Sequence, residues 1–109
     1  MLPLLVLAGC SKGAEADLQY IGEARSAAAE WALVNEQASK GRLTRAYVES
    51  MHRWLREEIR ASHSALTEPN SFYGHEIAAL LREPDGAPPS ELRERSKRLK
   101  EVEEKLESA

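Results

Sequence analysis

An amphipathic helical pattern fills residues 14–39, whose sequence is AEADLQYIGEARSAAAEWALVNEQAS. Apolar side chains recur there every three or four residues, the spacing that places them on one face of an α-helix. Five alanines between positions 24 and 32 favour helix intrinsically, and their small side chains let another helix approach closely. We therefore expect a helix over residues 14–39, with a buried face formed by Leu18, Ile21, Ala24, Ala28, Trp31, Val34 and Ala38.

A second helix is predicted directly after the first. Lys40 and Gly41 suit a helix C-terminus, because a cation complements the helix dipole and glycine adopts the left-handed backbone freely. Thr44 is a suitable N-cap for a helix that begins at about residue 43 or 44 and ends at about residue 66. So short a connection makes the two helices antiparallel neighbours. The apolar stripe of the second helix contains Val48, Met51, Leu55, Ile59, Ser62 and Leu66, widened by Tyr47 and Trp54.

The charges of these two segments are opposite. Residues 14–39 carry five carboxylates and one arginine, whereas residues 40–60 carry six cations and three carboxylates. We expect the acidic helix to pair with the basic one and to bury Trp31 and Trp54 between them. Exposed ion pairs contribute only about 0.2 to 1 kcal/mol each, so apolar burial must supply most of the stability.

The aromatic residues of the second helix allow another interpretation. Trp54 with Arg53 and Arg56, and Tyr47 with Arg45, would form a basic aromatic surface for anionic lipid or an acidic peptide. Aromatic residues at helical spacing usually pack in a core, so the packing role is favoured.

Two further helices complete an all-α fold. Residues 67–71, TEPNS, interrupt the helical pattern, and Asn70 or Ser71 can cap a short third helix over residues 72–83. Residues 84–89, PDGAPP, end that helix, and a fourth helix is predicted for residues 90–108. Residues 14–109 are thus expected to form one small helical domain.

The fourth helix carries few apolar residues, and they follow a heptad pattern. Leu92, Leu99 and Leu106 are seven residues apart, with Val102 between the last two. We expect this helix to pack weakly on the domain. The seam of Leu92, Leu99, Val102 and Leu106 is then a possible interaction surface for a protein partner or a second copy of the chain. A solvated helix that packs lightly on the domain is favoured over a coiled coil, because three heptads are the minimum that a coiled-coil pattern needs.

Composition excludes several classes of function. The chain has 109 residues and a net charge of −3, so it lacks the basic excess of a nucleic-acid-binding protein. One cysteine excludes an internal disulfide and the cysteine-rich zinc sites. His52 and His63 lie eleven residues apart, about 16 Å along a helix, too far to share a metal ion. His75 lies on another segment, and solvated histidines are more common than ligands at such spacing. We predict no catalytic residues, metal or cofactor and expect no enzyme activity.

The first ten residues carry the most specific motif. Met1 to Gly9 is apolar and uncharged, and the tetrapeptide Leu7-Ala8-Gly9-Cys10 resembles the lipobox of bacterial lipoproteins. The resemblance implies a signal peptide over residues 1–9, cleavage before Cys10, fatty acylation of Cys10 and a lipidated tether over residues 10–13. Because residues 1–9 are short for a signal peptide and contain no Lys or Arg, we expect the natural start to lie upstream. Ser11 resembles the outer-membrane sorting signal, with the inner membrane left open.

Three functional interpretations follow. The first is a lipid-anchored cell-envelope protein that faces the periplasm and has a structural or protein-interaction role, with Cys10 holding it to the membrane. The second is a periplasm-facing module that binds a small ligand. The third is a soluble, non-exported helical interaction protein.

The lipobox predicts a covalent modification that mass spectrometry detects. Two or more acyl chains anchor a protein stably, whereas one does so only marginally. The membrane fraction should therefore contain a chain that begins at acylated Cys10, and Cys10→Ala should release the domain without unfolding it. An unmodified chain in the cytosol that retains Met1 would contradict the prediction.

Overall fold

The computed structural model describes residues 13–108 and shows four helices in that range. They are α1 (Ala14–Ser39), α2 (Arg45–Ala65), α3 (Phe72–Leu81) and α4 (Pro89–Glu107). The all-α fold is confirmed, and the helix bounds agree with the predicted ones to within two residues. Cys10 and Ser11 lie outside the described residues.

The helix ends form where the capping residues predict. The Thr44 hydroxyl accepts a hydrogen bond from the backbone N–H of Tyr47 at 3.2 Å, and the Ser71 hydroxyl accepts one from Gly74 at 3.1 Å. Gly41 has a φ of 70°, which confirms the left-handed turn between α1 and α2.

Helix α1 is the centre of the fold, because it contacts each of the other three helices. Its most extensive neighbour is α4, followed by α2, while α3 packs chiefly against α2 and α4. Small side chains on α1 explain this arrangement, since they permit close approach on more than one side. The buried residues of α1 are Asp17, Ile21, Ala24, Ala27, Ala28, Trp31, Ala32, Val34 and Asn35.

Helix α4 is part of the core, so the expectation of a weakly packed helix is wrong. Leu92 is 0% and Leu99 is 1% exposed, whereas Val102 and Leu106 are half-buried. The Ser96 hydroxyl donates a hydrogen bond to the Arg25 carbonyl of α1 at 3.0 Å. The predicted interaction surface is therefore corrected for Leu92 and Leu99, which a partner could reach only if α4 left α1.

The expected burial of the two tryptophans is half correct. Trp31 is 0% exposed, as predicted, but Trp54 is 53% exposed. Trp54 precedes the buried Leu55 by one residue, which turns it about 100° away from the core stripe. Within residues 13–108, α3 and the α3–α4 connection cover the flank of α2 that carries Arg56. They leave the flank that carries Trp54 open.

The expected charge pairing between α1 and α2 is not found among the described residues. Arg25 and Glu36 of α1 pair with Glu103 and Arg93 of α4 instead. The physical reason is proximity, since α4 lies along the flanks of α1 on which these side chains project.

The buried Trp31 and the half-exposed Trp54 give a matched test of the core. Trp31→Ala should lower the free energy of unfolding by about 3 to 5 kcal/mol, because it empties a fully packed site. Trp54→Ala should cost about 1 kcal/mol or less, because half of the side chain is already in water. Urea or thermal denaturation followed by circular dichroism checks both values, and equal losses would contradict the packing.

Candidate functional site

Arg56 is the centre of a polar cluster between α2 and the α3–α4 connection. Its guanidinium group donates to Asp85 Oδ1 at 2.7 Å, to the Leu81 carbonyl at 2.9 Å and to the Glu83 carbonyl. The same group lies over the ring of Trp31, with its central carbon 4.9 Å from the ring centroid. Arg56 therefore holds the α3–α4 connection against α1 and α2.

Asn35 and His52 extend this cluster. The amide nitrogen of Asn35 donates to the carbonyls of Asp85 at 2.9 Å and Ala87 at 2.8 Å, so its oxygen faces His52. His52 Nε2 lies 2.7 Å from that oxygen and must carry the hydrogen. Burial lowers the pKa of His52, and so does the nearby Arg56, while Asp85 acts to raise it. These contacts hold the connection between α3 and α4.

A second buried polar group lies at the start of α1. Asp17 is 0% exposed and accepts hydrogen bonds from the Thr67 and Glu68 backbone N–H groups, the Thr67 hydroxyl and the Tyr73 hydroxyl, at 2.6 to 3.1 Å. Burial acts to raise the pKa of Asp17, but these hydrogen bonds outweigh it and lower the pKa. Burial and the Asp17 carboxylate raise the pKa of Tyr73. This group ties α1 to the α2–α3 connection.

The third cluster is an open cleft between α1 and α2. It has a volume of about 340 Å³, and the half-exposed Trp54 lines it beside the buried Ala27 and Leu55. Leu33 and Tyr47 are also about half exposed. Leu33 lies one turn after Glu30 on α1, and Tyr47 lies two turns before Trp54 on α2, so both extend the exposed surface toward the α1–α2 turn. We call the exposed residues Leu33, Tyr47 and Trp54 the Trp54 face.

The cleft beside the Trp54 face is acidic. Glu23, Glu30 and Glu58 line it, against one cation, Arg25, which is already paired with Glu103. Glu30 and Glu58 have no ion-pair partner within residues 13–108. The basic aromatic surface considered from the sequence does not form around Trp54, because Arg53 and Arg56 line a different cleft, together with His52 and Asp85.

The two half-exposed residues of the predicted α4 seam lie in a cleft of their own. Val102 and Leu106 line a separate cleft with Phe72, which is 67% exposed. The exposure of Phe72 was not predicted from the sequence. Its position as the first residue of α3, directly after the cap Ser71, was consistent with an exposed side chain. Leu33 was not predicted either, although it lies one residue before Val34 and therefore outside the α1 stripe.

The described part of the chain has neither a metal-binding cluster nor a membrane-spanning helix. Among residues 13–108, no three His, Cys, Asp or Glu side chains are grouped so as to hold a metal ion. None of the four described helices has the length and apolar character needed to cross a membrane. In comparisons with known proteins, no family model, curated protein or solved structure matches the chain.

The buried His52 predicts a pH dependence of stability. Its folded pKa lies below the ordinary 6.5, so the unfolded chain binds more protons as the pH falls from about 7. Stability is thus fully present above the ordinary pKa and is lost as the pH falls toward the folded pKa. His52→Gln keeps a donor for Asn35 but does not titrate, so melting curves should show a smaller loss between about pH 7.5 and pH 5 than wild type. Equal losses would contradict the prediction.

Proposed function

We propose that the protein is a bacterial cell-envelope lipoprotein, anchored at Cys10 and facing the periplasm, whose helical domain binds another protein. The lipobox-like sequence at residues 7–10 supports the anchor. The exposed Trp54 carries the proposal of protein binding, because a large aromatic side chain in an open cleft is typical of interaction sites.

The chemistry of the cleft selects the kind of partner. Glu30 and Glu58 supply negative charge that no described cation neutralises, and Trp54 offers an indole ring to a cation. A Lys or Arg side chain that lies on the ring contributes about 0.5 to 2 kcal/mol, depending on how far it is desolvated. The proposed partner is therefore a protein segment that combines basic and apolar side chains.

The position of the Trp54 face supports this role. Leu33, Tyr47 and Trp54 are contributed by two adjacent helices whose packing does not use them, so a partner can cover them without disturbing the core. Binding a small ligand instead would call for a more enclosed site, because ligand pockets bury most of their ligand.

Site-specific photo-crosslinking in the native cells tests the proposal. A photoreactive phenylalanine analogue at Trp54 or Leu33 should capture one defined protein, while the same group at the exposed Glu94 of α4 should not. Glu30→Lys and Glu58→Lys should reduce the adduct at Leu33 at least tenfold, because they place like charge beside a basic partner. Glu94→Lys is the matched control and should leave that adduct unchanged.

The outcomes separate the alternatives. Loss of the adduct in the two cleft variants alone, with a captured protein that has a basic binding segment, supports the proposal. Equal crosslinking at Trp54, Leu33 and Glu94, or an adduct indifferent to Glu30→Lys and Glu58→Lys, would overturn protein binding at this face. A domain found in the cytosol would favour the non-exported interpretation.

A further inference from the structure

The start of α1 lies at the same end of the domain as an exposed apolar cleft. At this end the backbone N–H of Gly13 donates to the Thr67 hydroxyl at 3.2 Å, which joins the start of α1 to the α2–α3 connection. Tyr73, in the first turn of α3, reaches the same place through its hydrogen bond to Asp17 at 2.6 Å. The preceding residue, Phe72, is 67% exposed, more than the other exposed large apolar residues of the described chain.

The last turns of α4 arrive at the same end. Near the end of α4, Glu103 contacts Arg25 and lies against Gly22, in the first half of α1. Near the start of α4, Arg93 pairs with Glu36, close to the end of α1. Helix α4 therefore runs antiparallel to α1. Val102 and Leu106 therefore lie near the start of α1. Together with Phe72 they line a cleft of about 380 Å³. We call these three residues the Phe72 cleft.

The length of the tether limits how far this end can lie from an anchor at Cys10. Gly13 lies three positions after Cys10, and an extended chain spans at most about 3.6 Å per residue, so the two are within about 11 Å. An acylated Cys10 would place its chains in the bilayer. The end of the domain that contains the Phe72 cleft would then be held at the headgroup layer.

The charges around the Phe72 cleft suit lipid phosphates. Arg98 and Lys105 line it against one carboxylate, Glu101. The Arg98 side chain is 45% exposed and lies 3.9 Å from its nearest carboxylate, on Glu76, so its guanidinium retains donors for another acceptor. Cations next to an exposed aromatic ring are typical of surfaces that lie in the interface of an anionic bilayer.

We propose that the Phe72 cleft rests on the membrane, with the Phe72 ring in the interfacial layer and Arg98 and Lys105 on the phosphates of anionic lipid headgroups. The inference deepens the proposed function and rests on the anchor at Cys10. It assigns the domain a fixed orientation, in which the cleft is the membrane-facing surface and the Trp54 face stays in water.

Tryptophan quenching by brominated lipid tests this orientation. The acylated protein would be purified from membranes and reconstituted into phosphatidylglycerol and phosphatidylcholine vesicles, with lipid brominated near the headgroup end of its acyl chains. In Trp54→Phe/Phe72→Trp, the introduced indole should lose at least half of its emission. The Trp54→Phe variant measures the background emission and quenching of the buried Trp31. In the wild-type protein, Trp54 should lose little emission.

Two charge variants test the role of the cations. Arg98→Gln/Lys105→Gln in the Phe72→Trp background should reduce the quenching by at least half in anionic vesicles. Lys97→Gln/Lys100→Gln removes as many cations from positions of α4 that do not line the cleft, and should leave the quenching unchanged. Replacing phosphatidylglycerol by phosphatidylcholine should have the same effect as the first pair.

Each result decides one claim. Mass spectrometry of the same sample reports acylation, and an unacylated Cys10 overturns the proposed anchor together with this inference. An acylated protein whose Phe72→Trp emission is not quenched overturns the inference alone. Emission that shifts to shorter wavelength with protein density, without quenching, would place a second copy on the cleft and would also overturn it.

Discussion

The buried indole of Trp31 is the contact on which the rest of the fold depends. Its ring lies inside the bundle and beneath the Arg56 guanidinium, and its N–H donates to the Asp85 carbonyl at 2.9 Å. One side chain of α1 thereby meets α2 and the connection between α3 and α4. That connection sets where α4 begins, so the position of the helix that covers most of α1 follows from these contacts.

Local features of the sequence were sufficient to predict the helices. The apolar spacing of residues 14–39 and the caps Gly41, Thr44 and Ser71 depend on nearest neighbours along the chain, and the structure has each of them where the sequence indicated. Such features act within one or two turns, and tertiary contacts seldom override them when the pattern is long.

Packing between helices was harder to predict, for reasons that two residues illustrate. Leu92 and Leu99 are too few to predict a well-packed α4, yet both are buried, because the many alanines of α1 form a shallow surface that α4 can approach closely. A leucine on such a surface reaches full burial with few partners. For Trp54 the error was the opposite: it was predicted to be buried but is exposed, because its neighbour Leu55 occupies the core position. Of the candidate site, the cysteine motif was visible in the sequence, whereas the acidic cleft required the register between α1 and α2.

The unbroken course of α1 has a consequence for where a partner can come from. Glu30, in the cleft beside the Trp54 face, and Leu33, in that face, follow Gly13 by 17 and 20 residues. At 1.5 Å per residue, the helix places these two side chains about 25 to 30 Å from its start. If Cys10 is the anchor and α1 stands upright, α1 acts as a spacer of constant height. A partner embedded in the same membrane would have to extend a segment by that distance, whereas a partner in the periplasm would meet the cleft directly.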